Sequence, residues 1–193
     1  MLIFENPFPP GADRYEDGIF RNANPKKALV AGWRGYQDPI AAFEHTYTTD
    51  AHATQYYIPN YDGPSYRLNK GAFRALYGTD MEPLLPVLMA DVDNAGHEPW
   101  EDIEEGAEYV ADVAEDAGAS GWYLTRAGYR LIYILEEAIR ASDARCYIRG
   151  LIRYLRASGV PADGLYDLQR LFRMPRVIRD DRQQIYPLGF IRV

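Results

Sequence analysis

Two aspartates, Asp91 and Asp93, follow a short apolar run at residues 84–90 and are the residues best suited to chemistry in this chain. The run is typical of a buried strand. Since side chains on a strand alternate between its two faces, the two aspartates are predicted to point the same way. Two adjacent carboxylates repel each other unless a cation lies between them. Because carboxylate oxygens suit hard cations, the pattern favours a site for Mg²⁺, Mn²⁺ or Ca²⁺.

The Asp-x-Asp spacing by itself leaves other interpretations open. Acids at the end of a strand are also common in proteins that bind no metal. An EF-hand loop that starts at Asp91 would match at Gly96. It would, however, have Ala95 and Asp102 where an oxygen ligand and a Glu are required. A sugar-nucleotide transferase also holds a metal diphosphate with an Asp-x-Asp at the end of a strand.

Composition and charge limit the class of protein. The 193 residues are 47% hydrophobic and 25% charged, which predicts a soluble globular protein with room for a core. The net charge of −7 divides unevenly, because residues 121–193 carry thirteen Arg and seven acids, a net charge of +6. Arg makes bidentate contacts with phosphate, so this excess favours a phosphorylated ligand. The single Cys146 fits a reducing compartment. Neither a signal peptide nor an apolar run of about 18 residues is found, so we expect a cytoplasmic protein that does not enter the membrane.

The elements around the acidic strand follow from hydrophobic periodicity and turn chemistry. Apolar residues three and four apart predict a helix over residues 101–117 that ends at Gly118. The nine acids between residues 98 and 116 predict a solvated face on this helix. Ser142 is predicted to cap a second helix that ends at Gly159. Further strands are predicted at residues 28–31, 53–59, 121–124, 129–135, 177–178 and 184–186, short helices at 39–45 and 67–77, turns at 61–64 and 126–128, and a loop at 161–164.

Three segments link this pattern to a known family. They are M-A-D-V-D at residues 89–93, T-R-A-G-Y-R-L at residues 125–131, and D-L-Q-R-L-F-R-M-P at residues 167–175. In this order and spacing they resemble the three motifs of the archaeo-eukaryotic primase superfamily, and most closely the primase-polymerases of phages and plasmids. The resemblance extends from about residue 56 to residue 179, and the third segment is its most specific part. A sugar-nucleotide transferase would not explain that third segment.

The resemblance implies a two-metal nucleotidyl transfer site. Such a site needs two cations about 4 Å apart, which activate the attacking 3′-oxygen and stabilise the leaving pyrophosphate. Three carboxylates can hold two Mg²⁺ or Mn²⁺ ions when nucleotide phosphates and waters complete the coordination. The implied catalytic residues and metal ligands are Asp91, Asp93 and Asp167. The implied contacts to the nucleotide phosphates are Thr125, Arg130, Arg170 and Arg173.

Arg130 is the main departure from the family pattern, since the family has a His at this position that contacts the nucleotide phosphates. On the predicted strand, Arg130 shares a face with Ile132. A buried Arg needs an anion. The anion is either a nearby acid, such as Asp91 or Glu136, or the triphosphate of a nucleotide. Replacing Asp91 by Asn is expected to abolish polymerase activity and, by removing like-charge repulsion, to leave thermal stability intact or raised.

The fold class expected is α/β (α+β), with a mixed sheet flanked by helices. By resemblance this is a primase-polymerase catalytic core with an RRM-like module. Residues 1–193 are expected to form a single catalytic domain, with an N-terminal lobe at residues 1–80 and the metal and nucleotide site at residues 81–193. Relatives often carry a helicase domain or a helical priming domain after this point, so a longer protein is expected.

The function implied by the resemblance is DNA primase and DNA polymerase activity in replication. The partners would be a single-stranded DNA template, NTPs or dNTPs, and a helicase domain or protein, in the cytoplasm of a bacterial host. The alternative is a catalytically weak, replication-initiator-type module of the same fold that binds single-stranded nucleic acid. Arg130 at the His position and the acidic N-terminal half of the chain favour this alternative.

Overall fold

The part of the chain that can be described falls into two compact units. These are Met1–Ile58 with Gln169–Ile185, and Pro59–Leu168 with Tyr186–Val193. The chain thus leaves the first unit and later returns to it. The single domain with an N-terminal lobe at residues 1–80 stays a prediction. The computed structural model describes residues 2–6, 32–35, 40–41, 43–44, 54–58, 70–164, 168, 172–173, 175–179 and 182–191. The strand and the turn predicted at residues 28–31 and 61–64 lie outside these residues.

The first unit contains an antiparallel sheet and a hairpin. The strands of the sheet are β1 (Leu2–Asn6), β2 (Gly32–Gly35), β3 (Thr54–Ile58) and β7 (Phe172–Arg173). Their order is β2-β1-β3-β7. The hairpin joins β8 (Arg176–Arg179) to β9 (Arg182–Ile185). The strands predicted at 53–59, 177–178 and 184–186 are confirmed as β3, β8 and β9, and residues 40, 41, 43 and 44 are helical as predicted.

The second unit contains the acidic strand. Its strands are β4 (Leu84–Asp93), β5 (Gly121–Thr125), β6 (Gly128–Arg140) and β10 (Leu188–Phe190). Its helices are α1 (Lys70–Arg74), α2 (Ile103–Asp116) and α3 (Ala141–Ala157). The strand order is β10-β5-β6-β4, and each neighbouring pair is antiparallel. The mixture of helices and strands agrees with the predicted α+β class. A mixed sheet would need a parallel pair, and among the described residues of both units every strand pair is antiparallel.

From β4 to β10, the order of elements in the second unit is β-α-β-β-α-β. In this arrangement β4 and β5 are joined through α2 and have β6 between them, which is a split βαβ unit. The last strand, β10, lies beside β5, so β4 is at the edge of the described sheet. This differs from an RRM-like sheet, in which the last strand lies beside the first.

The two helices α2 and α3 cover one face of this sheet. The ring of Tyr129 on β6 packs edge-on against Tyr109 of α2, with 6.3 Å between the ring centroids. Four residues further along β6, the hydroxyl of Tyr133 donates to a backbone carbonyl just after α2. Burial raises the pKa of Tyr133, and the neighbouring Tyr154 of α3 raises it further. Since Tyr129 and Tyr133 share a face, Arg130 lies on the opposite face.

Helix α2 has the solvated face and the glycine end predicted from its sequence, and it has an N-cap that was not predicted. The carboxylate of Asp102 caps it by accepting hydrogen bonds from the backbone N–H groups of Glu104 (2.8 Å) and Glu105 (3.1 Å). All nine acids from residue 98 to residue 116 are exposed, which confirms the predicted solvated face. Gly118, with φ +63°, follows the helix and ends it as predicted.

Helix α3 begins in a way that the sequence did not predict. Ser142 was expected to be the N-cap, but Arg140 occupies the N-cap position and makes no capping hydrogen bond through its side chain. The capping role is taken by the distant Glu82, whose carboxylate accepts from the backbone N–H of Ser142 (2.7 Å) and of Gly78 (2.7 Å). The Glu82 side chain is only 2% exposed and also lies 3.5 Å from Nη1 of Arg140. Burial acts to raise the pKa of Glu82, but the hydrogen bonds from Ser142 and Gly78 outweigh it and hold that pKa below its usual value.

Replacing Glu82 by Gln is expected to lower the free energy of unfolding at pH 7 by about 2 kcal/mol, because two backbone N–H groups lose the charged acceptor that the buried Glu82 side chain provides. Since the folded pKa is lowered, this contribution is fully present above the unfolded pKa of about 4.3. It is lost as the pH falls through the folded pKa. Urea unfolding of wild type and Glu82→Gln, at pH 7 and at successively lower pH, measures the difference in unfolding free energy between them. This difference should become smaller at low pH.

The matched control for this experiment is Glu108→Gln, because Glu108 is an exposed acid on α2. Glu108→Gln should change the free energy of unfolding by no more than about 0.5 kcal/mol at every pH. If Glu82→Gln lowered the free energy of unfolding by the same amount at pH 7 and at low pH, the charge of Glu82 would not stabilise α3.

Candidate functional site

The acidic strand meets the second motif segment in a row of side chains that crosses three strands. Asp91 on β4 is opposite Arg130 on β6, and Arg130 is opposite Tyr123 on β5. Nε of Arg130 donates to Oδ1 of Asp91 at 2.9 Å, and Nη2 lies 3.4 Å from Oδ2. Nη1 of Arg130 donates to the hydroxyl of Tyr123 at 3.0 Å. The guanidinium is therefore fixed between an acid and a phenol on the face of the sheet that lies opposite α2 and α3.

Backbone geometry brings Asp91 and Arg130 close together. The carbonyl of Asp91 points off the edge of the sheet, where it accepts a hydrogen bond from the backbone N–H of Asp163 (2.8 Å). Asp91 and Arg130 thus form a pair that exchanges no ladder hydrogen bonds, and in such pairs the side chains are closest, with Cα atoms about 4.5 Å apart. Both side chains are 12% exposed. The result is a largely buried ion pair with its hydrogen bonds made.

Asp93 lies two residues further along the same face and has a different environment. Its side chain is 39% exposed, and its Oδ2 lies 3.3 Å from Nδ1 of the exposed His97. The residue opposite Asp93 is Gly128, and the next in that row is Thr125 at the end of β5. Because Gly128 has no side chain, the carboxylate of Asp93 has no cross-strand partner like the one that Asp91 has in Arg130.

The turn between β5 and β6 is held in place beside Asp93. The indole Nε1 of Trp100 donates to the carbonyls of Thr125 and Gly128, at 3.1 Å to each. Gly128 has φ +153°, and a Cβ built on it would lie 2.1 Å from the carbonyl oxygen of Val92. Only glycine allows the two strands to come this close. The turn predicted at residues 126–128 is therefore confirmed, and it fixes Thr125 with respect to β4.

Of the seven predicted site residues, the structure brings four together. Asp91, Asp93, Thr125 and Arg130 lie on neighbouring strands of the second unit. The other three remain untested as site residues. Asp167 and Arg170 lie outside the described residues, and for Arg173 only the position in β7 of the first unit is described. The convergence of three carboxylates stays a prediction.

The ion pair identifies Asp91 as an anion that binds Arg130. Of the two acids considered from the sequence, Asp91 is the partner, and the exposed Glu136 makes no ion pair with Arg130 among the described residues. The sequence predicted a positive charge beside Asp91, and the guanidinium of Arg130 supplies one. The EF-hand interpretation is wrong, because the carboxylate of Asp102 caps α2.

The donor set fits a hard cation only in part. Asp91 and Asp93 offer carboxylate oxygens on one face, and Oδ2 of Asp91 is less closely held by Arg130 than Oδ1. Within the described ranges, no group of three or more His, Cys, Asp or Glu side chains is placed to share a metal ion. A cation bound to Asp91 and Asp93 would therefore need further ligands from the undescribed residues, a nucleotide or water.

Two residues of the site were missed by sequence reasoning. Tyr123 holds Arg130 through its hydroxyl, and the guanidinium carbon lies 5.6 Å from the centre of its ring. Trp100 fixes the turn next to Asp93. Tyr123 could have been found by extending the alternation of β5 and β6 across their turn. No local pattern indicates the contact of Trp100, which spans 25 residues or more.

Comparison of the chain with protein-family models, with curated proteins and with solved structures found no match. Among the helices of the described residues, none has the length and apolar character required to cross a membrane. The resemblance to primase-polymerases therefore stays a prediction based on the three motif segments.

Proposed function

We propose that this chain is a metal-dependent nucleotidyltransferase of the primase-polymerase type that extends a primer on a single-stranded DNA template. The observation that carries the proposal is the register of β4 and β6, which puts Asp91 opposite Arg130. Residues from two of the three motif segments, about 40 positions apart in sequence, thus share one face and one end of a sheet. The β-α-β-β-α-β order of the second unit also supports it, although the position of β10 differs from that of an RRM-like sheet.

In this proposal the residues of the site have separate tasks. Asp93 and the second oxygen of Asp91 hold Mg²⁺ or Mn²⁺, and Asp167 completes the ligand set. When bound, a metal pair would activate the attacking oxygen and stabilise the leaving pyrophosphate. Arg130 keeps the Asp91 carboxylate in a fixed orientation and would add positive charge towards the nucleotide phosphates.

A second candidate function has one observation in its favour. A guanidinium bound to Asp91 at 2.9 Å competes with a metal ion for the same carboxylate. That arrangement suits a module of the replication-initiator type, which binds single-stranded nucleic acid and has little or no transfer activity.

Primer extension with Asp93→Asn tests the proposed function. The wild-type chain should extend a labelled primer on a single-stranded template with NTPs or dNTPs in the presence of Mg²⁺ or Mn²⁺. Asp93→Asn should reduce the rate at least about 100-fold, because even indirect partners of a metal ligand contribute 10- to 100-fold. Since Asp93 is exposed at the end of β4, the stability of the variant should stay within about 0.5 kcal/mol of wild type.

Asp112→Asn, which changes an exposed acid on α2, is the matched control and should extend primers at the wild-type rate. Normal extension by Asp93→Asn would refute the metal assignment. A wild-type chain that binds single-stranded DNA but transfers no nucleotide with either metal would establish the binding module instead.

A further inference from the structure

The exposed side of α3 carries two stripes of different chemistry. Arg145, Arg149 and Arg153 follow one another at intervals of four residues, so they lie along one flank of the helix. Tyr147 and Tyr154 lie seven residues apart on the other flank, and they are 54% and 51% exposed. The helix thus presents guanidinium groups on one flank and phenol rings on the other.

Small residues separate the two stripes. Cys146, Gly150 and Ala157 are exposed and lie between the arginines and the tyrosines when α3 is viewed down its axis at 3.6 residues per turn. The exposed Asp143, in the first turn of the helix, also lies on this line, beside the tyrosines. A Cβ built on Gly150 would have no atom within 4 Å, so the space above this glycine is open. A bound chain could therefore lie close to the helix backbone along this line.

The charge on this surface is basic and locally unbalanced. Asp143 is the one acid in the sequence of α3. Among the described residues, no acid forms an ion pair with Arg145 or Arg153. Helix α2 covers the same face of the sheet, and its exposed side is acidic. A polyanion would be attracted to α3 and repelled by α2, which restricts it to one helix.

We propose that the exposed face of α3 binds single-stranded nucleic acid, with its arginines on phosphates and its two tyrosines stacked on bases. Arginines four residues apart are about 6 Å apart along the axis, and tyrosines seven residues apart are about 10 Å apart. Phenol rings can stack only on bases that are unpaired, which selects a single strand over a duplex. Guanidinium groups bind phosphates whatever the base sequence of the strand.

This surface is separate from the candidate site. Helix α3 covers the face that carries Tyr133, whereas Asp91 and Arg130 lie on the opposite face of the sheet. The proposal names a surface for the strand that both candidate functions require, and it does not depend on transfer at Asp93. The variant Asp93→Asn should bind single-stranded DNA as tightly as wild type, so a failure of the proposed chemistry and a failure of this proposal are distinguishable.

Fluorescence anisotropy with a labelled 20-mer of deoxythymidine, at 50 and 200 mM salt, tests the proposal. The double variant R145Q/R153Q should bind at least about tenfold more weakly at 50 mM salt. The slope of log K against log salt should become shallower by about 1.4, which is about 0.7 for each phosphate contact removed. The variant Y147A/Y154A should bind about tenfold more weakly with the salt slope unchanged, because stacking releases no counterions.

The matched control is R126Q, which removes an exposed Arg from the turn between β5 and β6 and should bind like wild type. Equal binding by R145Q/R153Q and wild type would overturn the proposal, as would the absence of any binding at 50 mM salt. Sedimentation of wild type without DNA provides a further test. A dimer that R145Q/R153Q disrupts, with DNA binding unchanged, would show that this face pairs with the acidic α2 of a second copy.

Discussion

Arg130→Ala is expected to lower the free energy of unfolding by about 3 to 5 kcal/mol. The variant leaves the carboxylate of Asp91, which is 12% exposed, without its cation, and removing one partner of a buried pair typically costs this much. It also leaves the hydroxyl of Tyr123 without the hydrogen bond from Nη1. Urea unfolding at pH 7 measures the loss, and Arg126→Ala, at an exposed position in the adjacent turn, should change stability by less than about 0.5 kcal/mol.

The same pair reverses an expectation drawn from the sequence. With only Asp91 and Asp93 in view, replacing Asp91 by Asn should relieve repulsion and leave stability intact or raised. The structure adds Arg130 at 2.9 Å, so Asn at position 91 would remove the anion that binds this largely buried guanidinium. We now expect Asp91→Asn to destabilise the fold. The double variant D91N/R130A should lose less unfolding free energy than the sum of the losses of the two single variants. The difference, which is the coupling energy of the pair, should be about 1 to 3 kcal/mol.

Arg130→Ala also tests the metal site without an activity assay. In this variant Asp91 and Asp93 keep their positions on one face but lack the guanidinium, so a bound divalent cation would supply the positive charge that Asp91 has lost. Mn²⁺ should therefore raise the stability of Arg130→Ala, by about 2.7 kcal/mol when its concentration is 100 times the Kd. The same Mn²⁺ should have no such effect on the variant that also carries Asp93→Asn. If Arg130→Ala lowered the free energy of unfolding by less than 1 kcal/mol, the expected energy of the ion pair would be wrong. If Mn²⁺ did not stabilise this variant, the proposed metal site would be wrong.

The parts of the fold that the sequence predicted are those fixed by local pattern. The acidic strand was predicted because its apolar residues form one uninterrupted run, and β4 is indeed buried from Val87 to Val92. Helix α2 was predicted because its apolar residues recur every three or four positions up to Gly118. In both elements the local preference and the tertiary environment agree.

The features that the sequence did not predict depend on distant contacts. Glu82 caps α3 from 60 positions away, and no spacing rule connects them. Strand β10 is only three residues long, and a Cβ built on its Gly189 would lie 2.8 Å from the ring of Trp122, so pairing with β5 requires glycine there. The return of the chain from residue 169 to the first unit rests on pairing between β3 and β7, which lie more than 100 positions apart.

The candidate site shows the same division. That Asp91 and Asp93 share a face, and that Arg130 shares its face with Ile132, follows from strand alternation, and both are found. The choice of Asp91 over Glu136 as the partner of Arg130 depends on register. A shift of one residue would have put Arg130 on the other face, so the pair could be suspected from the sequence but not assigned.

Gly128 sets that register, and Gly128→Ala is expected to lower the free energy of unfolding by about 4 kcal/mol. Its φ of +153° is one that L side chains rarely adopt, which costs about 1 to 3 kcal/mol. The added Cβ would also lie 2.1 Å from the carbonyl oxygen of Val92 and 2.8 Å from Cα of Asp93, and overpacking costs a further 1 to 3 kcal/mol. Both atoms belong to the backbone of β4, so no side-chain rotation can relieve the contact. Urea unfolding compared with wild type measures the loss.

Gly150→Ala is the matched control, because it adds the same methyl group to α3 at a position where no atom lies within 4 Å. It should stabilise the protein by about 0.5 to 1 kcal/mol, since alanine has the higher helix propensity. Opposite signs for the two substitutions would show that the close approach of β4 and β6 at Gly128 holds Asp93 and Thr125 side by side. A change of less than 1 kcal/mol for Gly128→Ala would mean that the strands can separate at this point. Gly128 would then not be needed to hold Asp93 and Thr125 side by side.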